Sequence, residues 1–493
     1  MSRRHTIFYS ALMLTGVNLL LRLAGTAFQV YLSGHIGAAG IGLLQLTMSV
    51  GSLAMVAGMG GIRTATMYLT AHQIGRGRHE NVTWVLSGCF LYSILFSGTV
   101  ALALYNFAPW LAEHWIGDMQ TIPALRLLGA FLPVVCLCGV MTGYFTAANR
   151  IGTLAAVEVA EQAASMGVTM GLLAFWAGRD AGRACLSVVL GSALGSVLTL
   201  ACLIFLRLIQ QPVCGERISV GRSILDAALP LALADDLRTG INTAENLMVP
   251  QRLALCAGVQ EPLAAFGMVS GMVFPVMMFP AAILFGLNEL LIPELARCRA
   301  ARSTRRIRYL VRRSLRVALV YGLVFSGLLF LLSDALCLRL YGSTDAARDL
   351  RLYGILVPML YCDAVTDAMT KGLGQQKACV RYNIITSAMD VAFLYILLPK
   401  YGMTGYFSSF FITHLVNFLL SLRRLMKITG QRIPFHLPAL GTAGCIFAVF
   451  AADSLDHSIL RAGAYLAILT CALFLSGLLR KEDIKWLRDL VRK

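Results

Sequence analysis

Two arginines, Arg22 and Arg238, lie near the middle of long apolar stretches of this 493-residue sequence. An ionisable side chain at the centre of a bilayer costs about 2.5–3.5 kcal/mol on insertion scales, so it is expected to face a partner or a polar cavity. The chemistry open to such residues is the binding of a polar or charged group inside the membrane. Each arginine therefore predicts either a ligand site or a buried ion pair.

Polar residues surround Arg22 at helical spacing. Asn18 lies four residues before it and Gln29 seven residues after it. In a helix with 3.6 residues per turn, these three side chains share one narrow face. The pattern predicts a polar stripe along the first helix.

A second polar stripe surrounds Arg238. Asp235, Asn242 and Glu245 fall three residues before it and four and seven residues after it, again on one helix face. For Arg238 alone, an internal ion pair with Asp235 or Glu245 explains the charge as well as a ligand does. For the two stripes together, a polar cavity is the favoured explanation.

Further ionisable residues interrupt other apolar stretches. Arg63 follows the glycine-rich run GMGG and joins the predicted cavity. Carboxylates that are predicted to serve ion coupling or salt bridges occur, besides Asp235, at Glu158, Glu161, Asp363, Asp367 and Asp390.

The elements that carry these residues must be membrane helices. Hydrophobic residues make up 58% of the chain and charged residues 14%, against about 45–50% and 25% in soluble domains, which excludes a soluble globular protein. The net charge of +17 is spread over short runs between apolar stretches. Such runs set membrane orientation, so nucleic acid is not an expected partner.

Apolar runs long enough to cross a hydrocarbon core about 30 Å thick recur along the chain. They predict an all-α polytopic membrane protein with about 14 transmembrane helices. The predicted spans are residues 7–33, 41–70, 82–107, 122–147, 153–178, 184–208, 223–251, 263–292, 314–333, 350–371, 380–399, 403–422, 434–452 and 459–479.

Basic residues are distributed unequally between the two sides of these spans. About 29 of the 42 Lys and Arg fall on the side that holds both termini, and about 8 fall on the other side. The excess predicts a cell-membrane protein with both termini in the cytoplasm. The densest basic segment, residues 296–313, is either a lipid-headgroup patch or an orientation signal. The orientation signal is favoured, and no site is assigned there.

The chain repeats itself with an offset of 225 residues. The segment GDMQTIPALRLLGAFLP at 117–133 matches GSTDAARDLRLYGILVP at 342–358 without a gap, and the same offset pairs Gly42 with Gly267. Each repeat holds six predicted helices, an even number, so the two are parallel repeats related by an axis along the membrane normal. Two such lobes are expected to rock around a central site. The predicted divisions are an N-lobe at 1–215, a C-lobe at 216–430, and a helix pair with a cytoplasmic tail at 431–493.

No catalytic motif accompanies these helices. The sequence lacks H-E-x-x-H, G-x-S-x-G and the Walker loop, and its histidines and cysteines lack metal-ligand spacing. We expect a protein that is not an enzyme and uses no cofactor or metal. Transport would then be driven by an ion gradient, the membrane potential or product removal.

Four segments resemble the multidrug/oligosaccharidyl-lipid/polysaccharide (MOP) exporter superfamily, especially its polysaccharide-type flippases and the stage V sporulation protein B family. They are YLSGHIGAAGIGLLQLTMSV at 31–50, GGIRTAT at 60–66, GYFTAANRIGTLAAVEVAEQ at 143–162 and KGLGQQKACVRYNIITSAMDVAFLYILLP at 371–399. The resemblance covers nearly the whole chain. It implies a V-shaped pair of six-helix lobes that moves undecaprenyl-diphosphate-linked sugars to the outer leaflet by alternating access.

The resemblance also implies a role for Arg22. In its RLAG context it is similar to a first-helix arginine of the lipid II flippases, whose cavity arginines engage the diphosphate. A planar guanidinium matches phosphate oxygens with paired donors. The second arginine of that motif is missing, because its position is occupied by Phe28. Polysaccharide-type relatives also tend to carry a basic residue where this sequence has Ser165 and Asp390.

Three functions compete. The first is a flippase for a lipid-linked oligosaccharide or peptidoglycan precursor, used in cell-wall, spore-cortex or polysaccharide synthesis beside cell-wall synthesis enzymes. The second is an ion-coupled multidrug exporter, and the third is a transport-dead scaffold that recruits cell-wall enzymes. An exporter of cations is expected to place a buried acid where this first helix has Asn18 and Arg22, and a scaffold has no use for buried charges. The flippase is therefore favoured.

Overall fold

The computed structural model describes residues 3–177, 180–209, 221–431 and 436–479, and every regular element in these ranges is a helix. Short 3-10 or π turns connect some of them. The α-helices are α1 Arg3–Met59, α2 Ile62–Gly75, α3 Val82–Leu111, α4 Ile122–Ala147, α5 Ile151–Leu172, α6 Ala181–Leu208, α7 Gly221–Leu253, α8 Pro262–Met268, α9 Phe274–Met278, α10 Ala281–Ala300, α11 Thr304–Tyr341, α12 Ala347–Gly354, α13 Val357–Gly372, α14 Gln376–Thr429, α15 His436–Asp453 and α16 Ser458–Leu475.

Two glycines divide the longest helices into the predicted spans. Gly37 in α1 has φ 69° and Gly402 in α14 has φ 55°, a left-handed conformation that glycine adopts without steric cost. Each kink separates two of the predicted spans. The all-α fold is thus as predicted, with helical segments at every predicted span.

Fewer than fourteen of the described helices are both long enough and apolar enough to cross a membrane by a strict criterion. Among the described residues, seven are long and apolar enough, or nine if each of two sharply bent helix pairs counts as one span. The two glycine kinks, together with α5, α7 and the shorter α15, account for the remaining predicted spans. The count of fourteen crossings stays a prediction.

The backbone repeats with the offset found in the sequence. Left-handed residues recur 225 positions apart, as Gly77 with Arg302, Gly117 with Gly342 and Asn149 with Gly374. The starts of α4 and α12 differ by the same number, as do those of α5 and α14. The sequence repeat is therefore also a repeat of local structure.

Contacts divide the chain into two compact units, Met1–Gly271 and Met272–Lys493. In the first unit α7 and α8 pack against α1. The glycines paired by the repeat meet here, because a side-chain carbon placed on Gly267 would lie 2.9 Å from the Gly42 Cα. The first unit therefore extends beyond residue 215, and the predicted lobe boundaries stay a prediction.

The second unit is built around α11 and α13. The pair α15 and α16 packs against α11, where the buried Tyr465 hydroxyl donates to the Leu323 carbonyl over 2.7 Å. Cys445 of α15 lies 3.3 Å from the same hydroxyl. The last two helices are thus fastened to the second unit by a buried polar contact inside an apolar cluster.

Candidate functional site

The first half of α1 presents the predicted polar stripe. The Arg22 side chain is exposed, and the Thr26 hydroxyl donates to the Arg22 carbonyl over 3.0 Å. The Gln29 amide donates to the Gly271 carbonyl over 3.3 Å, which joins this face to the segment that follows α8. Asn18 belongs to α1, but its side chain lies outside the described residues. Arg22 is therefore the charged group that this stripe presents.

Helix α7 is held on the second half of α1 by two polar contacts. The Thr243 hydroxyl donates to the Ser49 carbonyl over 3.1 Å, and the Asn246 amide donates to the Ser49 hydroxyl over 2.9 Å. Both contacts are at least half-buried. They fix the rotation of α7 about its axis, and with it the direction of its polar stripe.

The polar stripe of α7 is largely exposed. Asp235, Arg238 and Asn242 are exposed, and Glu245 is half-buried. Arg238 forms no hydrogen bond or ion pair with any described residue, so the internal ion pair considered from the sequence is not formed by it. Its guanidinium is available to a ligand.

A mixed group of charges lies on α2 and α5. Arg63 is exposed and acts electrostatically on the half-buried Glu158. Glu161 accepts a hydrogen bond of 2.8 Å from the Thr199 hydroxyl on α6. Arg63 is placed by close packing, because a side-chain carbon added at Gly143 of α4 would lie 2.5 Å from its carbonyl oxygen. Of these three charges, Arg63 is the one open to solvent.

The acids of the second unit are engaged by neighbouring side chains. Asp363 on α13 accepts from the Asn417 amide on α14, with oxygen–nitrogen distances of 3.1 and 3.4 Å. Asp367 forms an ion pair with Lys371 over 2.6 Å. The salt-bridge alternative thus holds for Asp367.

Asp390 is enclosed by three polar side chains of α14 that the sequence analysis did not single out. The Ser409 hydroxyl donates to its Oδ1 over 2.5 Å and the Thr413 hydroxyl over 3.3 Å. His414 interacts with it electrostatically while stacking on Phe410 at 3.9 Å between ring centroids.

The signal for these residues was present in the sequence. Ser409, Thr413 and Asn417 are spaced at i, i+4 and i+8, so they form a polar face on the twelfth predicted span. Such a face can donate hydrogen bonds to the acids of the tenth and eleventh spans. Periodicity of that span alone would have identified the face. It would not have paired each member with its acid.

The described residues do not form a preformed metal site. They contain no group of three or more His, Cys, Asp and Glu side chains placed to hold a metal ion. The partners of Asp363, Asp367 and Asp390 are amide, ammonium and hydroxyl groups, respectively.

Comparisons with known proteins agree with this architecture. Residues 15–160 match the MatE family. Stage V sporulation protein B of Bacillus subtilis (strain 168) is 22% identical, in an alignment that covers 82% of this chain and 80% of that protein. The resemblance predicted from the four sequence segments is therefore confirmed.

Solved structures show the same fold. The lipid II flippase MurJ in an inward closed conformation aligns with a TM-score of 0.70 at 13% identity, covering 97% of this chain and all of that chain. An inward-facing multidrug resistance MATE transporter of the MOP superfamily aligns with a TM-score of 0.67 at 16% identity, covering 85% of this chain and all of that chain. The chain is a multi-pass membrane protein with the fold of the MOP superfamily transporters and flippases.

Proposed function

We propose that this chain is an alternating-access flippase that moves an undecaprenyl-diphosphate-linked oligosaccharide or peptidoglycan precursor across the cytoplasmic membrane. The observation that carries the proposal is Arg238, exposed on a helix whose orientation is fixed and without an ion-pair partner among the described residues. A cation held in this way is suited to an anionic ligand, since no internal carboxylate neutralises it.

The diphosphate is the part of the substrate that the arginines recognise. It carries about two negative charges, and in a low-dielectric cavity a guanidinium binds phosphate oxygens through paired charge-assisted hydrogen bonds. In the proposal Arg22 and Arg238 face one cavity and bind this group, assisted by Arg63 and by the amide groups of Asn18, Gln29 and Asn242. Glu245 lines the same cavity without contacting the diphosphate. The isoprenoid chain stays in the bilayer.

The acids of the second unit are proposed to couple transport to an ion. Asp363 and Asp390 each sit among hydroxyl and amide groups, which stabilise a carboxylate and leave it able to take up a proton or a small cation. Asp367 is assigned to a structural pair with Lys371. Glu158 and Glu161 balance the charge of Arg63.

A multidrug exporter is the second candidate, and the same acids favour it. A cationic drug would bind Asp363 or Asp390 directly, and the similar MATE structures include multidrug resistance transporters. The sign of the ligand separates the two functions. A flippase binds a lipid diphosphate, whereas an exporter of this kind binds an organic cation.

Thermal unfolding of the detergent-solubilised protein tests the proposal. A ligand that binds only the folded state at a hundredfold excess over its Kd stabilises it by about 2.7 kcal/mol. We expect undecaprenyl-diphosphate sugars to raise the unfolding temperature and ethidium to leave it unchanged. Arg238→Gln should remove the effect, while Arg126→Gln, a matched change at an arginine stacked on Tyr105, should keep it.

The opposite pattern would identify the exporter. Stabilisation by ethidium but not by the lipid diphosphate, lost in Asp390→Asn or Asp363→Asn, would overturn the flippase. Stabilisation by neither ligand, with no transport after reconstitution, would favour the scaffold that recruits cell-wall synthesis enzymes.

The proposal places both termini in the cytoplasm. Single cysteines introduced into a cysteine-free background should react with an impermeant thiol reagent in intact cells at positions 35 and 118 and resist it at positions 78, 306 and 424. The physical reason is the excess of Lys and Arg on the second set of loops. Labelling of position 306 in intact cells would refute this orientation.

A further inference from the structure

The first turns of α11 carry a basic face that the proposed transport cycle does not use. Arg305, Tyr309, Arg312 and Arg316 are spaced at i, i+4, i+7 and i+11, which places them on one side of the helix. The first three are exposed, and the fully buried Val311 lies on the opposite side. We call these four residues the α11 basic face. It points away from the core of the second unit.

Neighbouring arginines fasten this end of the unit, whereas Arg305 and Arg312 do not. Arg306 pairs with Glu294 over 2.6 Å, and Arg308 donates to the carbonyl at the end of α14 over 2.9 Å. Arg305 and Arg312 form no hydrogen bond or ion pair with any described residue. Their charges are available to a partner outside the unit.

The length of α11 places this face at the membrane surface. The helix has 38 residues, or about 57 Å at 1.5 Å per residue, while the hydrocarbon core is about 30 Å thick. The apolar run of the helix begins at Val317, directly after Arg316. Arg312 and Tyr309 then lie about 6 and 11 Å from that boundary, at the depth of the headgroups, where tyrosine is enriched.

The repeat shows that the fold does not need these charges. At an offset of 225 residues, the positions of the α11 basic face correspond to Glu80, Trp84, Ser87 and Leu91 in and before α3. None of these four is basic, although α3 occupies the equivalent place in the first repeat. Binding of a partner therefore explains these arginines better than helix packing does.

We propose that the α11 basic face binds anionic phospholipid headgroups of the adjoining leaflet, which is the cytoplasmic leaflet in the topology given above. The partner follows from charge and depth, since phosphate groups at headgroup level complement exposed guanidinium groups. Each basic residue close to an anionic surface contributes about fivefold to binding. This site is separate from the diphosphate site and does not depend on it.

Binding of fluorescent phosphatidylglycerol to the full-length protein in neutral detergent micelles tests the site. We expect Arg305→Gln with Arg312→Gln to weaken binding by about 25-fold, from about fivefold per arginine. The lysine versions of both changes should keep most of the affinity, and fluorescent phosphatidylcholine should bind weakly to every variant.

The control removes the same charge elsewhere on the same predicted side. Arg76→Gln with Arg78→Gln, in the equivalent loop of the first repeat, should leave phosphatidylglycerol binding unchanged. Equal losses in the two double variants, or no loss in either, would overturn the proposal. So would an inverted orientation of the Arg305 and Arg312 variant in cysteine labelling, because the arginines would then serve only topology. Failure of the flippase proposal would appear in the melting experiment with lipid diphosphate and not in this one.

Discussion

Two sets of charged residues, one in each unit, are arranged in opposite ways. In the first unit, Arg63 and Arg238 are exposed and form no hydrogen bond or ion pair with a described residue. In the second unit, Asp363, Asp367 and Asp390 are each engaged by a side chain of the same or a neighbouring helix. These two arginines present their charge, whereas these three acids have theirs engaged by the fold.

This difference separates two uses of charge inside a membrane. A side chain without a protein partner bears its desolvation cost until a ligand arrives, so its place is explained by binding. A side chain that is already hydrogen-bonded is satisfied by the fold, and it acts on transport only by exchanging a proton or an ion. Mutations of the exposed arginines should therefore affect activity alone, whereas mutations of the engaged acids should also affect stability.

The largest effect is expected from Arg22→Ala. The variant should reach the membrane and lose transport by at least about tenfold, because a hydrogen bond to a charged group contributes about 1.5–3 kcal/mol. Arg22→Lys should retain part of the activity, since it keeps the charge without the paired donors. Complementation of cells that depend on this protein measures both. Full complementation by Arg22→Ala would refute the proposed role of Arg22 in binding.

The free energy of unfolding should respond more to changes at Asp390 than to changes at Arg238. Asp390→Ala leaves the Ser409 hydroxyl without its acceptor, whereas Thr413 still donates to the Ser409 carbonyl over 2.8 Å. The change should lower the free energy of unfolding by about 1–3 kcal/mol. Asp390→Asn should cost less, because its amide oxygen still accepts a hydrogen bond. Arg238→Ala should leave the melting temperature of the ligand-free protein nearly unchanged. Equal destabilisation by Asp390→Ala and Arg238→Ala would break the comparison.

The smallest effect concerns Asp367 and Lys371. Their ion pair is partly exposed, with 22% and 35% of the side-chain surfaces accessible. A double-mutant cycle with Asp367→Asn and Lys371→Met should therefore give a coupling energy of only about 0.2–1 kcal/mol in thermal unfolding. Transport by the double variant should stay close to that of the unaltered protein. If Asp367→Asn loses transport and Lys371→Met does not restore it, Asp367 takes part in ion coupling and is not only a member of a structural ion pair.

The sequence by itself determined the class of fold and the faces of its helices. Composition and apolar spacing predicted helices at the right positions, and the offset of 225 residues reappears in left-handed pairs such as Gly117 with Gly342. Helical periodicity placed Asp235, Arg238 and Asn242 on one face, and the structure exposes all three. These features are local, because they depend on side chains within a few turns of one another.

Only the tertiary structure decided which charges have partners. Asp363 meets an amide 54 residues away, and Thr243 of α7 meets Ser49 of α1 across 194 residues. Periodicity identifies the face of a helix but not the helix that will cover it. The packing of α7 and α8 on α1, which ends the first compact unit at residue 271, follows from such long-range contacts. The same physical reason gave Asp363 an amide partner on another helix, while Arg238 has no ion-pair partner among the described residues.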